Sequence, residues 1–420
     1  RMWPAEVTRL SKLEYISIHG QPLNLTGPVT QLPIKQATVY LPVDDSFWNM
    51  AELEELEVFS SQIARATERT HQDEFLTWGW DSQIEVPEGI GQLQNLKKLR
   101  VGNGYKEIVT SLPETISQLT QLEELHIGPS AIQLPSSLSA LTNLQSLHIT
   151  GHGQLPVSWS QLASLKVLRI VSPQYVLLGH SSLYNDAGLT DYIDGDGYIH
   201  GPLPPEWSNL SNIEALSVAV NEAGYLNGEL PAEWSSLTKL QGIYLGNHEF
   251  EGHLPAEWGQ LTQLKYLDLS NNLLDGPIPP EWCQMTSLES LYLDGNALSG
   301  SIPSQISDLV NLKILSLSDN QLTGSLVDFS EMRSLESIGL ADNLLSGKIN
   351  SRRFPTSIEY INISGNNFDK SGAFPNLRHL TNLRSFSELS TWPGPISYTD
   401  VCPKLPPYLR EQGVWACYHM

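Results

Sequence analysis

The chain has 420 residues and a formal net charge of −22 at pH 7, from 46 acidic and 24 basic side chains. A body this acidic repels nucleic acid and anionic membrane surfaces, so we expect neither as a partner of the whole protein. Hydrophobic residues make up 40% of the sequence, which excludes a disordered chain, and no apolar run approaches the roughly 18 residues that cross a bilayer.

The first residues resemble the interior of a repeat. The opening RMWPAEV has no signal-peptide pattern. Residues 4–7 (PAEV) match the Pro-x-Glu turn that recurs later in the chain. An open first repeat without a polar cap is an aggregation hazard, so we expect a processed or trimmed fragment with sequence missing upstream.

A segment of the form Leu-x-x-Leu-x-Leu-x-x-Asn recurs along the chain and is most regular at residues 261–296. Leu267, Leu291 and Leu315 hold the same place in successive copies, 24 residues apart. A fixed period of roughly 20–29 residues with this alphabet is typical of a leucine-rich-repeat solenoid. The first inward residue of each copy predicts about 13 or 14 repeats, marked by Ile16, Val39, Leu56, Leu99, Leu125, Leu147, Leu168, Leu216, Ile243, Leu267, Leu291, Leu315, Ile338 and Ile361.

Each copy predicts the same local structure. The Leu-x-Leu alternation places two apolar residues inward and the residue between them outward, as a β-strand requires. Stacked copies then build an α/β solenoid, a right-handed superhelix with a parallel concave sheet and an irregular or short-helical convex side. Recurring asparagines bond the backbone of neighbouring repeats inside the turn. They are Asn221, Asn272, Asn296, Asn320, Asn343 and Asn366.

Five tryptophans recur at repeat spacing: Trp159, Trp207, Trp234, Trp258 and Trp282. Such a stripe raises the hypothesis of a sugar-binding surface. The same place holds Ile or Leu in other copies, at Ile90, Ile116, Leu138 and Ile306. This exchange favours buried spacers of the convex layer.

Two spacings between markers are far longer than the rest, 43 residues from Leu56 to Leu99 and 48 from Leu168 to Leu216. Each predicts an insertion of about one repeat length, at about 59–84 and about 172–200. Val39 lies only 17 residues before Leu56, so its repeat is degenerate or misplaced. We expect one solenoid domain over residues 1–385 and a C-terminal cap over 386–420.

The three cysteines have two interpretations. Cys402 and Cys417 lie together beside the end of the stack, which predicts a disulfide-stapled cap in an oxidising compartment. Reducing this bond should cost about 2–4 kcal/mol. Cys283, next to Trp282, is interpreted as a small buried apolar residue.

The element Gly-x-Ile-Pro with Leu-x-x-Asn-x-Leu-x-Gly, between Gly201 and Gly347, resembles the plant-type leucine-rich repeat. Residues 86–170 resemble the shorter Leu-Pro-x-x-Ile bacterial type, and the Pro-x-x-Trp turns resemble secreted repeat proteins of protists and bacteria. The paired-cysteine N-terminal cap of plant receptors is absent. The resemblance covers most of the chain and implies recognition outside the cell through the concave face, although one fold hosts many functions.

Four basic or ionisable residues occupy the middle outward place of successive strands: Arg100, His126, His148 and Arg169. They lie between the two insertions, and some plant hormone receptors resemble this plan, with an island between repeats as one wall of the ligand site. We expect a pocket for an anionic group, with the arginines as donors and the histidines as pH-sensitive partners. The alternative is a solvated strip whose charges offset acids such as Glu124.

Further along, the outward places read Tyr244, Tyr266, Asp268, Tyr292 and Asp294. Tyrosine beside acids makes good contact surface for a protein or glycan, because it combines apolar area with a hydroxyl. The alternative is cross-strand stacking that only stabilises the sheet.

The second insertion contains Asp194 and Asp196 in the run DYIDGDGYIH. This run echoes part of a calcium loop, but the first and twelfth ligand places would be Tyr192 and Leu203, so it is no EF-hand. An Asp-Gly hairpin turn is the main interpretation, and calcium binding stays open beside it; no other metal or cofactor is expected. The sequons opened by Asn24, Asn209 and Asn362 matter only in a eukaryotic secretory pathway.

No nucleophile elbow, phosphate loop or zinc motif is present in the sequence, so we expect no enzyme. The leading hypothesis is a secreted or cell-surface recognition module that binds a protein or peptide on its concave face. The first alternative is a receptor for a small anionic molecule or glycan, with a pocket between the insertions. The second is a structural or adhesin stalk.

Overall fold

The computed structural model describes residues 12–18, 32–43, 45–60, 82–102, 107–128, 130, 132–172, 199–220, 225–369 and 376–387. The chain divides into two compact units, Arg1–Tyr225 and Leu226–Met420. Each unit has its own run of parallel strands and its own aliphatic core.

The described strands of the first unit's main sheet each pair in parallel with the next along the chain. They are Tyr15–Ile18, Gln36–Leu41, Glu55–Ser60, Lys98–Val101, Glu124–Ile127, Ser146–Thr150, Val167–Val171 and Ala215–Ala219. Two small parallel pairs lie outside this sheet, Ser82–Glu85 with Glu107–Ser111 and Gly153–Gln154 with Ile199–His200. The 3-10 helices are Asp45–Asn49, Glu88–Gln92, Glu114–Gln118, Ser136–Ala140, Val157–Gln161 and Pro205–Asn209.

The second unit repeats this plan with shorter strands. Its main sheet contains Gly242–Tyr244, Tyr266–Asp268, Ser290–Tyr292, Ile314–Ser316, Ser337–Gly339, Tyr360–Asn362 and Ser385–Phe386. Smaller parallel sheets join Asn227–Glu229, Glu249–His253, Leu273–Pro277 and Ala297–Ser299, and separately Ser346–Gly347 and Asn367–Phe368. The 3-10 helices are Ala232–Ser236, Ala256–Gln260, Pro280–Gln284, Ser304–Asp308 and Ser351–Arg353.

The expected fold class, a leucine-rich-repeat solenoid with a parallel sheet, is confirmed. Among the residues listed above, every helix is a single 3-10 turn of three to five residues. Most of these turns follow an extended proline such as Pro231, whose fixed φ and missing N–H suit the entry to a turn.

Two repeat boundaries differ from the prediction. Val39 does not open the second repeat, because Ile16 pairs with Ala37 and Ala37 pairs with Leu56. Val39 instead takes the second inward place. The series also continues one strand beyond Ile361, where Phe386 pairs with it at the start of the predicted cap.

The predicted insertions begin later and end earlier than expected. Residues 59–60 still belong to the strand Glu55–Ser60, and residues 82–84 belong to Ser82–Glu85. At the second insertion, Ile199–His200 is paired with Gly153–Gln154. Residues 61–81 and 173–198 lie outside the described part, and the division into a domain at 1–385 and a cap at 386–420 stays a prediction.

The tryptophans are buried spacers, as the exchange with Ile and Leu predicted. All five are at most 1% exposed, and the rings of Trp258 and Trp282 stack with centroids 6.2 Å apart. Each indole also needs a partner for its N–H. Trp258 donates to the carbonyl of Pro231 at 3.0 Å, and Trp282 donates to that of Pro255 at 2.7 Å.

The asparagine ladder is confirmed in the second unit. Asn320 Nδ2 donates to the carbonyl of Leu293 in the preceding repeat at 2.9 Å, while its Oδ1 accepts from Leu298 N at 2.9 Å. The same pattern occurs at Asn272, Asn296, Asn343 and Asn366. Asn221 lies outside the described residues. His248 takes the same place, and its Nδ1 accepts from Leu226 N at 3.2 Å.

Candidate functional site

The basic file, defined as Arg100, His126, His148 and Arg169, lies on four neighbouring strands of the first unit. Register pairs Arg100 with His126, His126 with His148 and His148 with Arg169. Each stands between two buried aliphatic residues of its own strand, so its side chain points outward. The structure therefore brings the four predicted residues side by side, and their binding role stays a prediction.

The two imidazoles of the file contact each other. The rings of His126 and His148 have centroids 4.4 Å apart and meet edge to face at 66°. Both side chains are half-buried, whereas Arg100 and Arg169 are exposed. The file therefore has an apolar, partly desolvated centre with a guanidinium at each end.

The acidic neighbours of the file follow its register. Arg100 Nη1 lies 3.9 Å from Glu57 Oε1, one strand beyond the end of the file. Glu124 instead contacts Lys98 at 3.2 Å, and the alternative interpretation, a solvated strip offset by nearby acids, stays open. Within the described ranges, Arg169 has no carboxylate within 4 Å.

Burial and like charge keep both imidazoles neutral at pH 7. Burial lowers the pKa of His126, and the positive charges of Arg100 and Arg169 lower it further. Burial, then His126 and the two arginines, lower the pKa of His148 to about 4. The file thus has a charge of about +2 at neutral pH, and each neutral ring offers one donor and one acceptor.

Two buried glycines border the file. Gly102 and Gly128 occupy the outward places two residues after Arg100 and His126. A Cβ at Gly128 would lie 3.2 Å from the carbonyl of Gly102, so the two backbones approach closely there. Neither place has a side chain, so the two strands approach closely at this edge of the file.

The tyrosine–aspartate surface, defined as Tyr244, Tyr266, Asp268, Tyr292 and Asp294, lies in the second unit. The rings of Tyr244 and Tyr266 stack with centroids 6.4 Å apart, and each residue is 40% exposed. Burial, then Tyr266 and Asp268, raise the pKa of the Tyr244 hydroxyl. At physiological pH this hydroxyl is a neutral donor.

The carboxylate of Asp268 stabilises a turn of the fold. Its Oδ1 accepts hydrogen bonds from the amide of Ser270 at 3.0 Å and from the hydroxyl at 2.6 Å. Register places it between Tyr244 and Tyr292 in the middle outward place. The carboxylate therefore fixes a turn and also separates two tyrosines on the surface.

In six successive repeats of the second unit, the residues four places after the first inward residue adopt a left-handed conformation. They are Asn247, Asn271, Gly295, Asp319, Asp342 and Gly365, with φ between 52° and 69°. Only Gly, Asn and Asp fill this place, as expected for residues that enter that region at low cost. The sequence shows this restriction to Gly, Asn and Asp, and the restriction indicates a structural role for these positions, not a binding role.

The remaining predicted sites are of two kinds. Cys402, Cys417, Asp194 and Asp196 lie outside the described residues, so the disulfide and the calcium hypothesis stay predictions. Cys283 is 5% exposed, and burial, with smaller effects of Asp308 and Glu281, raises the pKa of its thiol to about 11. The described part of the chain contains no group of three or more His, Cys, Asp or Glu side chains arranged to hold a metal ion.

Sequence reasoning missed a cavity of about 330 Å³ in the second unit. It is lined by Ser330, Glu331, Arg333, Arg352, Phe354, Pro355, Thr356 and His379. Arg333 is engaged with Glu331 at 3.4 Å. The lining residues come from the turns of three repeats, and nothing in the strand pattern marks them.

The sequence matches two family models. Residues 74–187 match "Leucine-rich repeat region", and residues 238–298 and 286–345 match "Leucine rich repeat". The chain belongs to the leucine-rich-repeat proteins. A comparison with curated protein sequences found no match.

Solved structures share the fold. A TDR receptor has 20% identity and a TM-score of 0.68, with 91% of this chain and 60% of that chain covered. The leucine-rich-repeat ectodomain of the membrane receptor kinase GASSHO1/SCHENGEN3 from Arabidopsis thaliana, in complex with CASPARIAN STRIP INTEGRITY FACTOR 2, has 23% identity and a TM-score of 0.61, with 91% and 50% covered. A leucine-rich-repeat protein of Leptospira interrogans has 22% identity and a TM-score of 0.58, with 88% of each chain covered.

The chain thus spans 60% and 50% of the length of the two receptor structures. At these identities the likeness concerns the fold. None of the helices in the described ranges has the length and apolar character needed to cross a membrane.

Proposed function

We propose that this protein is a non-enzymatic recognition module that binds a protein or peptide partner on the outward faces of its parallel strands. The observation that carries the proposal is the stacked pair Tyr244 and Tyr266. Both rings are 40% exposed while the inward residues beside them are fully buried. The core does not need these rings, and tyrosine is enriched where proteins bind one another.

The fold supports this use of the surface. Inward places are apolar and set by packing, so the outward places are free to vary with the partner. A similar solenoid, GASSHO1/SCHENGEN3, is in complex with CASPARIAN STRIP INTEGRITY FACTOR 2. Rigid strands also hold contact residues in fixed positions, which lowers the entropic cost of binding.

The test is a selection from a displayed library of random peptides, repeated on matched variants. Peptides enriched on the wild-type chain should lose most of their binding to Tyr266→Ser, because truncating a central aromatic contact costs about 2 kcal/mol or more. Leu344→Ser is the control, since Leu344 is 50% exposed but lies outside the outward strand places. Circular dichroism checks that both variants remain folded.

The proposal fails if no peptide is enriched above an unrelated solenoid. It also fails if Leu344→Ser weakens binding as much as Tyr266→Ser does. In the second case the contact would lie on the turns and not on the sheet.

We also propose that the protein works outside the cell or at its surface. The support is the cysteine pair at the C-terminal end and the likeness to a receptor ectodomain. Alkylation of the denatured, unreduced protein should add one label, at Cys283, and alkylation after reduction should add three. Three labels before reduction would contradict the extracellular placement.

A further inference from the structure

Among the described residues, the basic file has one ion pair, between Arg100 Nη1 and Glu57 Oε1 at 3.9 Å, and Arg169 has none. In the row just before the strands, several neighbours have opposite charges, and Lys97 lies 2.8 Å from Glu54 while Lys313 lies 2.7 Å from Glu289. In the basic file, four basic or ionisable side chains stand next to one another with no acid between them. At pH 7 the two central imidazoles are neutral, and holding them partly desolvated beside two guanidiniums costs free energy. A local arrangement that costs stability is expected at a functional site.

The groups that face the two imidazoles come from three sides. The strand Lys98–Val101 presents Arg100 and Lys98, and the strand Val167–Val171 presents Arg169. The histidine strands themselves add Glu124, which is held by Lys98 at 3.2 Å. Among the described residues, the electrostatic potential at the imidazoles is therefore positive, and a bound anion would make it more negative.

We propose that the basic file binds an acidic peptide segment, with carboxylates on Arg100 and Arg169 and with proton uptake by His126 and His148. This inference rests on the proposed function and names the chemistry of one partner segment. Each guanidinium donates two parallel hydrogen bonds to a carboxylate.

The length of the file favours a peptide over a single small anion. Arg100 and Arg169 are three strands apart, which is about 14 Å at roughly 4.8 Å per strand. An extended peptide laid across the strands advances about 13 Å in four residues. Side chains at positions i, i+2 and i+4 point the same way, so three alternate carboxylates match the two guanidiniums and the imidazole pair between them.

Proton uptake follows from the coupling between binding and titration. A bound carboxylate favours the imidazolium and so raises the pKa that burial and the arginines lower. For His148, the pKa would rise from about 4 toward the ordinary histidine value of about 6.5. If the pKa of His148 returns to that value, affinity increases about tenfold between pH 7.5 and pH 5.5. The glutamates of the ligand remain ionised over most of this range.

The experiment uses isothermal titration calorimetry with a blocked peptide that has glutamate at three alternate positions. Its glutamine analogue is the neutral control, and inorganic phosphate is the small-anion probe. We expect binding of the glutamate peptide, about tenfold tighter at pH 5.5 than at pH 7.5, and an enthalpy that depends on the ionisation enthalpy of the buffer. We expect no binding of the glutamine analogue.

Two variants separate the roles of the residues. Arg169→Gln should weaken binding by about 10- to 100-fold, as expected for a charge-assisted hydrogen-bonded pair. Lys348→Gln makes the same charge change at an exposed side chain of the second unit and should leave affinity unchanged at 0.15 M salt. The double variant His126→Gln, His148→Gln should bind with a flat pH profile.

Several results would overturn the inference. They are equal binding of the glutamine analogue, equal loss in Arg169→Gln and Lys348→Gln, or phosphate binding as tightly as the peptide. If the double histidine variant leaves the pH profile unchanged, the proposed proton uptake by the histidines is wrong. If the glutamate peptide does not bind while library peptides still require Tyr266, this inference fails and the proposed function stands.

Discussion

Replacing Asn320 by alanine tests the asparagine ladder, which links the repeats of the second unit. Asn320 is 8% exposed. Its Nδ2 donates to the carbonyls of Leu293, Leu317 and Ser318 at 2.9, 3.2 and 3.1 Å, and its Oδ1 accepts from Leu298 N at 2.9 Å. Alanine removes all four hydrogen bonds and leaves a small void.

The size of the effect depends on which groups lose their last partner. Leu293 O keeps a hydrogen bond from Asn296, Leu317 O keeps one from Asn343, and Ser318 O keeps one from Gly295 N. The amide of Leu298 alone among these groups is left buried without its acceptor. One orphaned buried donor costs about 1–3 kcal/mol, and the remaining loss adds about 1 kcal/mol. We therefore expect Asn320→Ala to destabilise the protein by about 2–4 kcal/mol.

The assay combines urea unfolding with hydrogen exchange. Urea unfolding gives the loss of stability, and exchange measured by mass spectrometry reports opening around Leu298, which stays useful if the repeats do not unfold in one step. Asn311→Ala is the matched control. Asn311 is exposed and makes one hydrogen bond, from Nδ2 to the carbonyl of Thr286 at 2.9 Å, so its loss should cost about 0.5 kcal/mol or less.

Equal destabilisation by Asn320→Ala and Asn311→Ala would refute this reasoning. So would unchanged protection of the peptide that contains Leu298. Either result would mean that the ladder hydrogen bonds are replaced by water at little cost.

Four further predictions follow from the buried and strained positions. Burial and then its positive neighbours lower the pKa of His148 to about 4. Between pH 6.5 and 4 the folded state therefore binds fewer protons than the unfolded state, so stability should fall as pH decreases through that window. An NMR titration that gives a pKa of 6.5 or above would contradict this. Trp258→Ala should cost about 3–5 kcal/mol in urea unfolding, and Trp258→Leu should cost less because the same slot holds leucine in another repeat. Gly295→Ala should cost about 1–2 kcal/mol, since φ is +68° and a Cβ would lie 2.4 Å from a neighbouring side-chain oxygen, whereas Gly339→Ala, without a positive φ, should cost less. Cys283, whose thiol pKa is raised to about 11 mainly by burial, should resist iodoacetamide at pH 8 in the folded protein and react in urea.

The fold was largely predictable because burial has a period in a solenoid. Inward places must be apolar in every copy, and the tryptophan slot accepts Trp, Leu or Ile because each fills the same space. The misplaced marker at Val39 shows where this fails. Ala37 fills the first inward place and is 3% exposed, but alanine is too small and too common to mark a strand in the sequence.

The candidate site was predictable as a set of residues but not in its electrostatics. Alternation alone placed Arg100 and His126 in one row. Which acid neighbours Arg100 depends on register, and the structure pairs it with Glu57 while Glu124 contacts Lys98. Desolvation of the imidazoles arises from side chains on adjacent strands that are many residues away in sequence. The sequence alone therefore does not predict how far the imidazoles are desolvated.

The two candidate surfaces also differ in how far the fold explains them. Asp268 holds a turn through Ser270, so its carboxylate stabilises the fold whether or not a partner binds. Arg169 has no such duty among the described residues, since no carboxylate there lies within 4 Å of it. Arg169 lies beside two neutral imidazoles whose pKa values are lowered. It therefore costs stability without forming a contact, in the described part of the chain, that stabilises the fold. The basic file is therefore the sharper place to look for a ligand, although the tyrosine pair is the better evidence that a partner binds at all.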